Sequence, residues 1–476
     1  MLQKDSFNIL VANPPFAVEG FLETLPEEQR EQYALTQTVT DVANNRNIQC
    51  FFIERAKQLL APGGVAGIIV PSSVLSNSDS THIGSREILL QYFDIVALVE
   101  LGSCTFGKTG TNTVVLFIRR KHQLPEPAEH YRNRVEDWFE PSTEDAPNED
   151  METYQDLHLI KKYCRHIAIP FEHYQTLLHG EPSAELLACE LFQDYKKDFD
   201  HSTEIKNLLE YHRKQGNGLE KAIYAEVNKE LKVTKIKLSD AEIKQKVDAA
   251  LPNKLSELKG TQKNELKKRF LNYLQKIEKD KLFYFVLAYS NPQKVLIVKS
   301  PSDNKEQKQF LGYEWSAAKS SEGIKLTTDA QGKHFTAMYD PENRYNPDKI
   351  NALIQENFLG NAVAIPESLE SYVSMASSVD LLDFSRKDFD KHISFSLKNT
   401  TSIEKWSDKY GSKRRLFPIS WGNRYILVFC ITTGISYILF LLKNQYTKEN
   451  QLSQDGTTWH LPHEIGKSQK DYQKFH

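Results

Sequence analysis

Cysteine is scarce and scattered: five occur in 476 residues, at Cys50, Cys104, Cys164, Cys189 and Cys430, with no C-x-x-C and no paired spacing. That excludes a disulfide framework, argues against a cysteine-ligated zinc site and indicates a reducing compartment. An excess of one charge is also missing. With 60 Lys and Arg against 63 Asp and Glu the net charge is −3, so no global basic field draws in a nucleic acid. Contact with DNA must come through local patches or a partner. No signal peptide opens the chain, and a cytoplasmic location is expected. Long apolar runs are absent until Tyr425 to Leu442, an uncharged stretch followed by Lys443. Three readings of it stay open: sequence replaced by a shifted reading frame, two buried strands, or a marginal membrane span. No membrane and no metal are expected.

What the chain does have sits near its start. Phe7-Asn8-Ile9-Leu10-Val11-Ala12 is apolar apart from Asn8 and runs into Asn13-Pro14-Pro15-Phe16. Such a run ahead of a turn signal predicts a buried strand ending at a loop. The two prolines lack N–H groups and hold φ near −65°, and Asn13, before a proline, is pushed to an extended conformation. The product is a stiff ledge carrying one amide, one unconsumed carbonyl and one aromatic ring. In an open α/β sheet, ligands bind at the carboxyl ends of the strands.

Asn13-Pro14-Pro15-Phe16 resembles the catalytic motif of amino-methylating DNA methyltransferases that modify adenine N6. The resemblance implies roles with a clear chemistry. An exocyclic amine is a poor nucleophile because its lone pair is delocalised into the ring. The Asn13 side-chain oxygen and the Pro14 carbonyl would each accept one N6–H and draw the nitrogen toward sp³. Phe16 would stack on the base, returning about 1–3 kcal/mol against the few kcal/mol needed to flip the base from the duplex.

Downstream, Ile48 to Leu60 carries apolar residues at helical spacing with Glu54, Arg55 and Lys57 opposite, and Ala61-Pro62-Gly63-Gly64 stops it. Val65–Val70 reads as a buried strand, Ser85 to Tyr92 as a helix, Ile95 to Leu101 and Thr113 to Ile118 as strands joined by a short Gly-rich loop into a hairpin. Alternating strands and helices predict an α/β domain with a largely parallel sheet. The run from Phe51-Phe52-Ile53-Glu54-Arg55-Ala56 through Pro62-Gly63-Gly64 and Ile69-Val70-Pro71 to Gly110-Thr111-Asn112-Thr113 is similar to the modification subunit of type I restriction–modification systems. The resemblance implies the C-terminal half of a class I, Rossmann-like methyltransferase sheet followed by a mainly helical α+β region. It implies S-adenosylmethionine as cofactor. The partners it implies are double-stranded DNA, a DNA-specificity subunit and a restriction subunit.

The family's methyl-donor loop, F-x-G-x-G, occurs nowhere in the sequence. The chain is therefore expected to be one piece of a split protein or a truncated remnant, paired with a missing N-terminal half. Without strands before it, Phe7 to Val11 would become an exposed apolar edge. Three rivals remain: an inactive assembly subunit, an RNA or protein methyltransferase, and a nucleotide-binding ATPase. The last rests on Gly102-Ser103-Cys104-Thr105-Phe106-Gly107-Lys108-Thr109, which matches G-x-x-x-x-G-K-[ST]. That pattern cradles phosphate only when a helix N-terminus comes next, and here a β-branched run comes next.

The expected organisation is a partial methyltransferase domain over 1–122, a linker and charged helices over 123–280, an α+β region over 281–415 and an atypical tail over 416–476. Residues 17 to 46, with Glu19, Glu23, Glu27, Glu28 and Glu31, read either as a solvated helical insert or as a loop near the base. Lys281 to Ser290 reads as a helix or a strand. Phe310-Leu311-Gly312-Tyr313-Glu314-Trp315-Ser316 is similar to the C-terminal region of the same subunits and has no evident mechanism; packing is its expected role. Tyr339-Asp340-Pro341 and Leu382-Asp383-Phe384 are similar to that region too.

Overall fold

The computed structural model describes residues 4–106, 110–139, 153–316 and 323–397, and three later strands over 414–421, 424–431 and 437–441. The chain divides into two units, Met1–Leu397 and Lys398–His476. The strands of the first unit are β1 (Phe7–Ala12), β2 (Leu60–Pro71), β3 (Phe93–Gly102), β4 (Thr113–Arg120), β5 (Val295–Val298), β6 (Tyr313–Ser316), β7 (Gly323–Leu326) and β8 (Val373–Ala376). Six form one sheet in the order β1-β2-β4-β3-β5-β8, and β6 pairs with β7 apart from it.

The α/β expectation holds, and the hairpin of β3 and β4 forms in antiparallel register with Leu98 opposite Leu116. The sheet is mixed, not largely parallel. β1 runs parallel to β2 and β3 to β5, whereas β4 is antiparallel to both neighbours and β8 to β5. The hairpin is the cause: its short loop reverses the chain, and a parallel neighbour would need a long crossover.

β3 is buried on both faces, as a central strand should be. Ile95 and Leu98 face the core that holds Leu116, Leu89 and Phe283. Ala97 and Val99 face a second cluster with Leu296, Val298, Phe310 and Leu353. β5 and β8 thus draw residues beyond 290 into the same sheet as the first 120.

β1 departs from the buried strand first predicted for its composition. Among the described residues it is the sheet edge, paired only with β2, and Ile9 and Val11 are 70% and 85% exposed. The exposed apolar edge expected for this strand is what the described residues show.

The helix Ile48–Leu59 forms as its spacing predicts, but Glu54 is not on a solvated face. It is 1% exposed and accepts the Ala34 N–H at 2.6 Å and the Leu35 N–H at 2.9 Å. Burial raises its pKa, against the pull of those two N–H groups. Residues 17 to 46 are accordingly not a solvated insert: Phe21, Leu22 and Leu35 enter the core. Only a single turn over Glu27–Arg30 is α-helical.

Lys281 to Tyr289 proves helical, as the end of the long helix Asp240–Tyr289. This helix pairs with Thr203–Thr234 around Ile223, Ile243 and Val247. Its far end is anchored by a buried carboxylate, Glu278, which accepts hydrogen bonds from the Tyr163, Tyr174 and Tyr195 hydroxyls.

In the second unit β9 (Arg414–Trp421), β10 (Arg424–Ile431) and β11 (Tyr437–Leu441) form an antiparallel sheet in the order β11-β10-β9. The apolar run from Tyr425 therefore contains two strands. Among the described residues no helix is long and apolar enough to cross a membrane.

Candidate active site

β1 ends at Ala12 and the ledge begins there. Asn13 and Pro15 are exposed, Pro14 is buried and Phe16 is half-buried. Among the described residues neither the Asn13 amide nor the Pro14 carbonyl takes part in a hydrogen bond. Both acceptors remain free beside an aromatic ring, on a loop that two prolines stiffen. The chain leaves the ledge through Ala17, whose φ of 54° lies in the left-handed region. For a residue with a Cβ that conformation costs about 1–2 kcal/mol. Ala17→Gly should raise unfolding stability by about 0.5–1 kcal/mol, the strain relieved less the added freedom of the unfolded chain. Urea denaturation checks this, and a destabilised variant would show that Ala17 is not strained.

Strand directions decide what else lies near the ledge. β2 and β3 run with β1, and β4 runs against them. The carboxyl ends of β1, β2 and β3 and the start of β4 therefore lie along one rim, where an open α/β sheet binds its ligands. The Ser72 N–H, just beyond β2, donates to the Asn112 carbonyl, just before β4, at 2.9 Å. Phe106, beyond β3, meets Phe16 edge-to-face with ring centroids 6.0 Å apart at 78°. Two aromatic rings thus stand at right angles next to two free acceptors. Sequence reasoning placed Phe106 in the phosphate-loop pattern and in the hairpin loop, and gave it no role of its own. Its signal was the short span between two strands, which must return to the rim where β1 ends.

The loop after β3 is closely fitted. Gly102 has φ +77°, and a Cβ there would lie 2.0 Å from Gln307 Nε2. Thr105 Oγ1 donates to the Gly102 carbonyl at 3.0 Å, and Thr113 Oγ1 donates to Thr105 Oγ1 at 3.1 Å. Gly107, Lys108 and Thr109 of the phosphate-loop pattern lie outside the described residues. The loop leads into β4, which is hydrogen-bonded to strands on both sides. A strand aims no array of N–H groups at a phosphate, so the helix N-terminus that nucleotide binding needs is not supplied here.

The two ends of the acidic segment are linked by an ion pair, Arg46 Nη2 to Glu19 Oε2 at 2.8 Å, at the surface. On the open side of β1 no further strand lies in its sheet among the described residues. No F-x-G-x-G occurs in the sequence. What the rim offers is two free acceptors, the Asn13 amide and the Pro14 carbonyl, beside the Phe16 ring.

Residues 1–106 match the family model described as Eco57I restriction-modification methylase. The resemblance carried by the N-P-P-F stretch is thus to an enzyme of the same kind as the matched model. A search of curated proteins finds no match. Among solved structures, the EcoKI M protein of a type I restriction enzyme aligns at 24% identity over 24% of this chain and 20% of its own, with a TM-score of 0.18. A modification subunit of a putative type I restriction enzyme from Vibrio vulnificus YJ016 aligns at 25% identity over 24% and 23%, with a TM-score of 0.19. A chain from a structure describing complex assembly and conformational transition of the type I R-M system aligns at 15% identity over 37% and 46%, TM-score 0.19. The chain therefore spans less than half the length of each of these three.

Proposed function

We propose that this chain carries the base-binding half of an adenine-N6 DNA methyltransferase in a restriction–modification system. The observation that carries the reading is the ledge itself: an exposed Asn13 amide and a free Pro14 carbonyl beside Phe16, at the carboxyl end of β1. The match of residues 1–106 to a restriction-modification methylase model supports the same reading.

In this mechanism the target adenine leaves the duplex and lies against Phe16, with Phe106 approaching from the side. Asn13 Oδ1 and the Pro14 carbonyl each accept one N6–H. Holding both hydrogens out of the ring plane loosens the lone pair from the π system and turns it outward. Hydrogen bonds that strengthen as the nitrogen becomes sp³ stabilise the transition state more than the ground state. No general base is needed for the attack itself, because the amine would take the methyl group with both protons in place and the methylated, cationic nitrogen would then release one proton to solvent. S-adenosylmethionine supplies the methyl group when bound to the complementary half. DNA specificity would come from a separate specificity subunit, with a restriction subunit completing the assembly, in the cytoplasm.

The test is transfer of tritiated methyl groups from S-adenosylmethionine to unmethylated genomic DNA. The assay uses the chain alone and the chain co-expressed with a polypeptide that supplies the donor loop. The complemented chain should yield N6-methyladenine after digestion to nucleosides, and the chain alone none. Label in cytosine, RNA or protein would replace adenine as the substrate.

A further inference from the structure

The Phe310–Ser316 stretch has no role in the proposed mechanism, and its contacts give it one. The carbonyl of Thr105 accepts two hydrogen bonds from residues more than 200 positions later. Trp315 Nε1 donates at 2.9 Å and the Tyr313 hydroxyl at 3.2 Å. That carbonyl belongs to the peptide unit that leads into Phe106. The unit is planar, so fixing its C=O fixes the axis about which Phe106 turns. We infer that Tyr313 and Trp315 are positioning residues of the candidate active site, setting the Phe106 ring against Phe16.

The residues from Phe310 to Trp315 fit this role. Phe310 and Leu311 end the helix Asn304–Leu311 and are buried in the second core cluster. Gly312 turns the chain at φ +85°, where a Cβ would lie 2.7 Å from Thr336 Cβ. Tyr313 and Trp315 are alternate residues of β6 and so project to one side, their rings 6.5 Å apart at 87°. Glu314, between them, points the other way, to Lys308 at 3.0 Å and Lys325 at 3.5 Å. The helix before β6 grips the same loop, because Gln307 Oε1 accepts the Cys104 N–H at 2.7 Å. The loop's own bonds hold the Thr105 hydroxyl. Its carbonyl is held only by the two aromatic donors among the described residues.

The catalytic consequence rests on the proposed function, whereas the anchoring of the loop does not. The test compares the full chain with Tyr313→Phe, Trp315→Phe and the double variant, which remove the donors and leave an aromatic ring, smaller at position 315, at each site. Iodoacetamide labelling of Cys104, followed by peptide mass spectrometry, reports the loop directly, with half-exposed Cys189 as the internal standard. The double variant should label Cys104 about tenfold faster, and each single variant much less, because either donor still holds the carbonyl. In the complemented methyltransferase the double variant should lose about tenfold or more in kcat, with the KM for DNA nearly unchanged. A purely structural role would lower the melting temperature and leave kcat in place. Unchanged Cys104 labelling, or faster labelling with unchanged kcat, overturns the inference. A wild type that transfers no methyl group overturns the proposed function instead, and the labelling still decides whether the two donors hold the loop.

Discussion

Asn13→Ala should abolish methyl transfer by the complemented enzyme while leaving its affinity for DNA nearly intact. The Asn13 side chain is exposed and takes part in no described hydrogen bond, so its removal leaves no buried group unsatisfied. Stability should change by no more than about 0.5 kcal/mol, as for ordinary surface substitutions. Its proposed work is confined to the reacting amine, where one acceptor is lost just as charge develops on nitrogen. Deleting a single preorganised hydrogen-bond partner of a transition state costs about 10²–10³ in kcat. DNA binding depends on backbone contacts elsewhere and should persist. Single-turnover transfer with labelled S-adenosylmethionine, run beside a gel-shift titration and a melting curve, separates the three quantities. A variant that turns over within about threefold of wild type, at equal DNA affinity, removes Asn13 from the chemistry.

The legible part of this chain was the part governed by local rules. A double proline behind an apolar run fixes a strand end whatever surrounds it, and the strand does end at Ala12. The hairpin of β3 and β4 was readable because the loop between them is too short for a parallel crossover. The role of Glu54 was not, because helical spacing counts a carboxylate as solvated. Only the tertiary approach of Ala34 and Leu35 supplies the two N–H groups that let it be buried. Phe106 and the Tyr313–Trp315 pair failed to appear for a related reason. The bonds from Tyr313 and Trp315 to the Thr105 carbonyl, next to Phe106, span more than 200 residues, and nothing in the local pattern of either segment states which carbonyl the other will hold. The burial of β1 was misjudged from composition, which reports what a strand is suited to face and not whether a neighbour is there to cover it.

That uncovered edge makes the second large expectation. Ile9 and Val11 project from β1 at 70% and 85% exposure, and among the described residues the strand pairs only with β2. Its outward N–H and C=O groups form a template for another strand. Burying an isoleucine and a valine is worth about 1.5–3 kcal/mol each, so an added strand would gain that and a row of backbone bonds. Ile9→Lys with Val11→Lys removes the apolar gain and sets two charges on the edge. β1 should still form, since Leu10 keeps its place against the core and the pairing with β2 is untouched. The wild-type chain should self-associate with rising concentration in sedimentation velocity, and the double variant should stay monomeric at the same melting temperature. If the edge is where the donor-binding half docks, the variant should also lose complementation by about 100-fold or more, each 1.4 kcal/mol being tenfold. Full complementation by a monomeric variant would place the docking surface elsewhere. Self-association that survives both lysines would mean that β1 is not the adhesive edge.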